Sequence, residues 1–328
     1  MKTPKISIIS PSFNTRKFLK ETVESIRAQS YDNWEHIIVD GASTDGTLEL
    51  LKQYPHIKWI SEKDSGYWEA FDKGLKMASG DYIMQCCISD GYLDKDWFKK
   101  CAEVMEKDME VSLVWGLYQN ITDAGKPLDV VYKEFHREDP PQKTEYLYYW
   151  LRTRRALPEG NYCLRADVWR ECFPKFDREK FGQMDPLLEL SYQFISRGYL
   201  PYFLRSVASF ARFHEGHLGD TDRAKGILQT RHNTYLREWR ACRNSVLSGK
   251  VVHRWRDGVG NILPYKFLRR KFLVEYVFSP RSIVRGILAG GASLTRKPLN
   301  LLVRSKHTPR WLVNSIQRLK FFYERKGW

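Results

Sequence analysis

A short apolar run, a loop rich in Asp, Asn or Gly, then a stretch of helical periodicity: the first 87 residues repeat this order and end on a fourth apolar run. The runs are KISIIS (5–10), EHIIVD (35–40), IKWIS (57–61) and DYIMQCC (81–87). EHIIVD suits a strand buried on both faces. Between the runs, TRKFLKETVESIRAQS places Leu19, Val23 and Ile26 on one helical face, and TLELLKQY and YWEAFDKGLKMAS also read as helices. Strand–helix alternation with short connections predicts right-handed crossovers and a mostly parallel sheet, an α/β fold. Ligands of such sheets bind outside the carboxyl ends of the strands. The segments expected there are PSFN, DGASTDGT, EKDSG and ISDG. A turn needs Asp and Gly for its own geometry, but four such loops converging on one edge point to a site.

After residue 110 the pattern changes. VSLVWGLYQNITDAGKPLDVVY reads as a hairpin with DAGK as its turn. YCLRADVW is a strand leading into a helix. QMDPLLELSYQFISRG is a helix with Leu187, Leu188, Phe194 and Ile195 inward and Gly198 ending it. SVASFARF closes the domain as a strand. Charge marks the next boundary. Residues 1–222 hold 30 Lys+Arg against 35 Asp+Glu, and residues 223–328 hold 24 against 4. Two parts are therefore expected: an α/β domain over 1–222 and a basic, aromatic-rich helical extension over 223–328. Interleaved Phe, Tyr, Leu, Arg and Lys in the extension suit the surface of an anionic membrane. Nucleic acid would suit the charge as well, but no recognition motif for it is present.

The six cysteines, Cys86, Cys87, Cys101, Cys163, Cys172 and Cys242, form no CxxC pair and read as buried free thiols of a reducing compartment. Pro11 and Asn14 interrupt the N-terminal apolar stretch too early for a signal peptide. No apolar stretch reaches the length of a spanning helix. The expected location is cytoplasmic, peripheral on the inner face of the cytoplasmic membrane.

Four stretches carry a family likeness: ISIISPSFNTRKFLKETVESIRAQSYDNWEHIIVDGASTDGT, SEKDSGYWEAFDKGLKMASGDYI, ISDG and GQMDPLLELSYQFISRG. Together they resemble the family 2 glycosyltransferases of GT-A fold, across roughly residues 5–215. The resemblance implies a nucleotide-sugar donor, most often a UDP-sugar, and direct displacement with inversion at the anomeric carbon. It implies a glycan or lipid-linked acceptor, as in bacterial surface polysaccharide synthesis. Pro11, Phe13 and Asn14 would line the base and ribose pocket, and Asp40 would accept from the base imide. Asp64 would sit near the uridine, with Gly66 permitting close approach, and Ser89 would also touch the nucleotide. Asp45 has two readings, ligand contact and helix cap. Lys73 likewise faces the phosphates or is a solvated helix lysine.

Asp185 matches the family's acid at the start of the last helix and is the expected catalytic base, with Glu189 one turn later as substitute; the bland reading is an N-cap. The departing diphosphate would be neutralised by Mg²⁺ or Mn²⁺. The metal motif departs from the family: relatives carry two adjacent acids, but here the residues are Ser89, Asp90 and Gly91. Asp90 is then the expected metal ligand, with His214 as a second candidate or a packing residue. Glu69 and Asp72 also stand where relatives often carry Asp and Asn. A non-catalytic nucleotide-sugar-binding module is the alternative that Gly91 motivates.

Overall fold

The computed structural model describes residues 3–131, 161–173, 190–191, 193–195, 197–214, 233, 236–237 and 239–240. It divides into compact units of residues 1–265 and 266–328. The second unit, and nearly all of the expected basic extension, lie outside the described residues.

Four strands form the predicted parallel half. β1 (Ile6–Ser12) pairs with β2 (Trp34–Asp40) on one side and β4 (Tyr82–Gln85) on the other, and β3 (Ile57–Ser61) joins β2. Helices α1 (Arg16–Arg27), α2 (Thr47–Leu51) and α3 (Tyr67–Met77) make the crossovers. α1 buries Phe18, Leu19, Thr22, Val23 and Ile26, the stripe that its apolar spacing predicts. β1 runs through Pro11, two residues past the predicted end. The Ile9 carbonyl accepts from Cys86 N on the β4 side. Pro11 turns the same side outward, beyond the last β1–β4 pair, Ile9–Gln85. Its missing N–H therefore costs no ladder bond.

Beyond β4 the sheet becomes mixed. The elements are β5 (Gly91–Tyr92), α4 (Trp97–Lys107), β6 (Val111–Ile121), β7 (Pro127–Val131), β8 (Cys163–Arg165), α5 (Ala166–Cys172) and β9 (Leu200–Arg212). Among the described residues the strand order is β3-β2-β1-β4-β8-β6-β9-β5, with β7 paired to β6. β8 lies antiparallel to β4 and β6, β9 parallel to β6, and β5 antiparallel to β9. The predicted DAGK turn joins β6 to β7, with Gly125 at φ 81° and its N–H donating to Thr122 O at 2.9 Å. Phe194 and Ile195 are buried and Gly198 has φ 81°; Leu187 and Leu188 lie outside the described residues.

Two core clusters lie on the face of the sheet that α1 covers. Ile6, Ile8, Met84, Trp97, Phe98, Met105 and Val114 pack with Ile26 of α1, and Leu19 and Val23 of α1 pack with Ile38, Leu51 and Ile57. α3 covers the opposite face, where Gly74 lies against Ile9 and Val39. Cys86, Cys101, Cys163 and Cys172 are buried free thiols and Cys87 is partly exposed; Cys242 is not among the described residues. No described helix is long and apolar enough to cross a membrane.

At the amino ends of the strands, Glu35 is nearly buried, with Lys5 Nζ at 2.9 Å and Lys58 Nζ at 2.7 Å. Ser7 Oγ donates to it at 2.6 Å and Ser79 N at 2.8 Å. Burial alone would raise its pKa, but these donors outweigh burial and hold the carboxyl well below the usual range. A depressed folded value means the stabilisation is complete above the unfolded pKa of 4.5 and is lost as pH falls toward the folded one. Glu35→Gln is expected to lower stability at neutral pH by about 1–3 kcal/mol. In urea melts the deficit relative to wild type should shrink between about pH 5 and about pH 3; a deficit independent of pH would refute this role.

Candidate functional site

Parallel register fixes where the loops meet. Ser12 of β1 stands opposite Asp40 of β2, which stands opposite Ser61 of β3. The carboxyl ends of these strands therefore form one rim, as expected. Asp40 is 0% exposed and ties the rim together. Its Oδ2 accepts from Ser43 N and Ser61 Oγ, both at 2.8 Å. Its Oδ1 accepts from Ser43 Oγ at 2.5 Å and Ser12 Oγ at 3.3 Å. The carboxylate thus points into the loop and is filled by protein donors. Asn14 and Asp45 brace the same loop. Asn14, at φ 52°, donates its N–H to Ser43 Oγ at 2.7 Å, and its Oδ1 accepts from Thr44 N at 2.9 Å. Asp45 accepts Thr47 N and Arg16 N, each at 3.0 Å, at the starts of α2 and α1. The cap positions themselves are Thr15 and Gly46, neither of which makes a side-chain cap bond; burial opposes ionisation of Asp45, but the Thr47 hydroxyl and these amides lower its pKa overall.

Above this frame the surface opens. The Phe13 ring is 64% exposed. A Cβ added to Gly41 would lie 3.2 Å from Asp64 Oδ2 and 3.3 Å from the Phe13 ring. Ring and carboxylate therefore flank bare backbone. Asp64 is fixed by Gly66 N at 2.8 Å. Burial raises its pKa, against the Gly66 N–H and nearby Lys73, and Glu69 and Asp40 raise it further. Gly66 has φ 123°, with open space where a Cβ would be. Lys73 pairs with Glu62 at 2.8 Å and Glu69 at 3.4 Å, and Glu69 also accepts Ser65 N at 2.9 Å. Lys73 and Glu69 thus hold the EKDSG loop.

The third part of the rim is Ser89–Asp90–Gly91, just after β4. Ser89 has φ 148°, a region that side chains rarely occupy and that persists where neighbours impose it. Thr22 of α1 imposes it: its Oγ1 receives Ser89 N at 3.3 Å and donates to Asp90 O at 2.7 Å. Asp90 Oδ1 accepts Arg212 N at 3.0 Å. Burial pushes the Asp90 carboxyl up to about 6, against the pull of Arg212 N–H, Cys87, His214 and Ser89. The His214 ring lies 4.7 Å from that of Phe18.

Gly91 pairs with Phe210 across β5–β9. A Cβ there would fall 2.7 Å from Phe210 ring carbons and 2.7 Å from Ser25 Oγ. A side chain at the position where the second acid was expected would force the Phe210 ring and the Ser25 hydroxyl to move. Among the described residues no three His, Cys, Asp or Glu gather as a metal shell. Asp90 with His214 nearby fits a cation that keeps waters and phosphate oxygens, as Mg²⁺ and Mn²⁺ do, and not a closed tetrahedral zinc site.

Pro11, Phe13, Asn14, Asp40, Asp45, Asp64, Gly66, Lys73, Ser89, Asp90 and His214 thus fall in three groups: the Asp40 frame, the Phe13–Asp64 surface with its loop, and the Asp90 loop. Asp185 and Glu189 lie outside the described residues. Thr22, Ser25, Phe210 and Arg212 were not anticipated; the signal for Arg212 was a lone cation in the otherwise uncharged SVASFARF run. A separate hollow of about 610 Å³, lined by Pro4, Gly80, Tyr82, Glu106 and Arg165 among others, lies at the amino ends of β1 and β4 and takes no part in this rim.

A curled α/β sheet with a loop-built rim of this kind defines a GT-A architecture, and comparison bears that out. Two solved structures align at TM-score 0.52 and 15% identity. Staphylococcus aureus TarS 1–349 with UDP-GlcNAc covers 94% of this chain and 82% of its own. Mannosyltransferase PcManGT from Pyrobaculum calidifontis, with GDP-Man and Mn²⁺, covers 91% and 82%. Residues 7–159 match Glycosyl transferase family 2, and the chain carries a domain of that family. It is 37% identical over 137 residues to the glycosyltransferase TuaG of Bacillus subtilis, provisionally assigned to teichuronic acid biosynthesis; the match covers 38% of this chain and 51% of TuaG. The chain spans about half the length of that relative.

Gly91→Ala is expected to destabilise the protein by about 1–3 kcal/mol through overpacking, and Gly91→Asp by more, without stronger Mn²⁺ binding. Denaturant midpoints and a Mn²⁺ titration decide this; a stable aspartate variant with raised Mn²⁺ affinity would contradict the packing seen here.

Proposed function

We propose that this protein is an inverting glycosyltransferase that moves a sugar from a UDP-sugar to a hydroxyl of a glycan or lipid-linked acceptor, in bacterial surface polysaccharide synthesis. The observation that carries the reading is the exposed Phe13 ring beside the Asp64 carboxylate, over side-chain-free Gly41, on the same rim as Asp90. A ring stacks on a base, and a carboxylate accepts an imide N–H. With the Asp40 oxygens filled, Asp64 takes the base-reading role that the sequence suggested for Asp40. Asp90 and His214 would hold Mg²⁺ or Mn²⁺, which when bound offsets charge on the diphosphate. Asp185 takes the proton of the acceptor hydroxyl as its oxygen bonds to the anomeric carbon and the bond to the diphosphate breaks. UDP departs and the configuration inverts.

UDP and UDP-sugars are expected to raise the melting temperature in a nucleotide panel, because a ligand of the native state stabilises it by mass action. Phe13→Ala should weaken UDP binding by about 1–3 kcal/mol. Asp185→Asn should abolish transfer and spare nucleotide binding. UDP binding without turnover over all donors and acceptors would instead support the non-catalytic module that Gly91 suggests.

The basic extension over 223–328 supports attachment to an anionic membrane surface, each basic residue near it contributing about 1 kcal/mol. The full chain should sediment with anionic liposomes and release as salt is raised. Salt-dependent binding to RNA or DNA without liposome binding would overturn the membrane assignment.

A further inference from the structure

Arg212, the last residue of β9, is 3% exposed although its charge is permanent. Its donors are engaged by protein. Nε donates to Ser89 O at 3.2 Å, and Nη1 to Thr122 O at 3.3 Å and Asp123 O at 2.8 Å. Nη2 donates to Glu21 Oε2 at 2.5 Å. The guanidinium carbon lies 5.3 Å from the Phe18 ring centroid and 5.5 Å from that of Phe210. One side chain therefore joins α1, the Ser89–Gly91 loop, the β6–β7 turn and β9. Its backbone N–H meets Asp90 Oδ1 as well. With four of its five side-chain N–H groups engaged and two aromatic rings beside it, the group is committed to the protein and not to a ligand.

We propose that Arg212 is the positioning residue of the candidate cation site, holding the Ser89–Asp90–Gly91 loop so that the Asp90 carboxylate stays on the rim. This rests on the nucleotide-sugar reading above. The loop requires such a hold for two reasons. Ser89 sits at φ 148°, and strain of that kind persists only under external restraint; Thr22 grips its N–H and Arg212 its carbonyl. Asp90 also acts without an adjacent acid, since Gly91 is packed against Phe210 and Ser25. The aim of a single carboxylate therefore decides how well a cation is held. Lysine could not substitute, because it lacks the planar fork that reaches three carbonyls at once.

The test uses the full chain, with Mn²⁺ binding read by electron paramagnetic resonance and UDP binding by calorimetry, with and without Mn²⁺. The variants are Arg212→Lys and Glu21→Gln. The Glu21 side chain is 54% exposed, so its variant loosens the guanidinium without opening the core. Arg212→Lys should weaken Mn²⁺ binding about 10–100-fold, the usual effect of losing a residue that orients a metal ligand, and Glu21→Gln should weaken it measurably but less. UDP affinity in EDTA should stay at the wild-type value in both. Unchanged Mn²⁺ affinity in Glu21→Gln overturns the assignment whatever the lysine variant does. Parallel loss of metal-free UDP affinity overturns it too, by marking a general structural role. A wild-type protein that binds no Mn²⁺ also overturns it. Mn²⁺ binding without nucleotide binding removes the donor reading, and Arg212 is then judged on the Mn²⁺ result alone.

Discussion

A buried carboxylate holds the rim of this protein. Asp40 has no exposure, and a charge taken out of water is tolerable only when donors replace the water. Those donors come from the end of β1, the end of β3 and the loop after β2, so satisfying one side chain brings three chain segments into one place. Three serines and one amide do this without a cation. The arrangement leaves the loop's backbone close-packed and Gly41 bare, which is what makes room for Phe13 and Asp64 to stand on either side of it. The outer surface of the site thus depends on an interaction buried beneath it.

The parallel half was legible in the sequence because local and global signals agree there. Buried strands read as continuous apolar runs, crossover helices show a single apolar stripe, and Asp and Gly mark the loops between them. Pro11 misled the strand end, since the residue's lost donor matters only where a neighbour strand continues, and β4 stops earlier. The mixed half was legible element by element, in the hairpin turn and the Cys163–Cys172 strand and helix, but not in its order. Pairings such as β6 with β9 join residues far apart in sequence and leave no local signature.

The site divides along the same line. Residues adjacent in sequence to a loop motif, such as Phe13, Asp64 and Asp90, could be named in advance. Their roles could not, because a role depends on which partner fills each oxygen. Asp40 and Asp64 look alike as letters, yet one is sealed by serines and the other stands beside an exposed ring. Asp45 shows the same ambiguity, with amides from two helix starts on its carboxylate. Thr22, Ser25, Phe210 and Arg212 were invisible for the opposite reason: their importance lies in meeting the Ser89–Gly91 loop from α1 and from the end of β9.

That meeting constrains what position 91 can become. The ring that crowds Gly91 arrives from a strand more than a hundred positions downstream, and the hydroxyl beside it arrives from the first helix. An acid introduced there would need the ring, the hydroxyl or both to move or shrink, so three remote segments have to be altered together for one loop to gain a carboxylate.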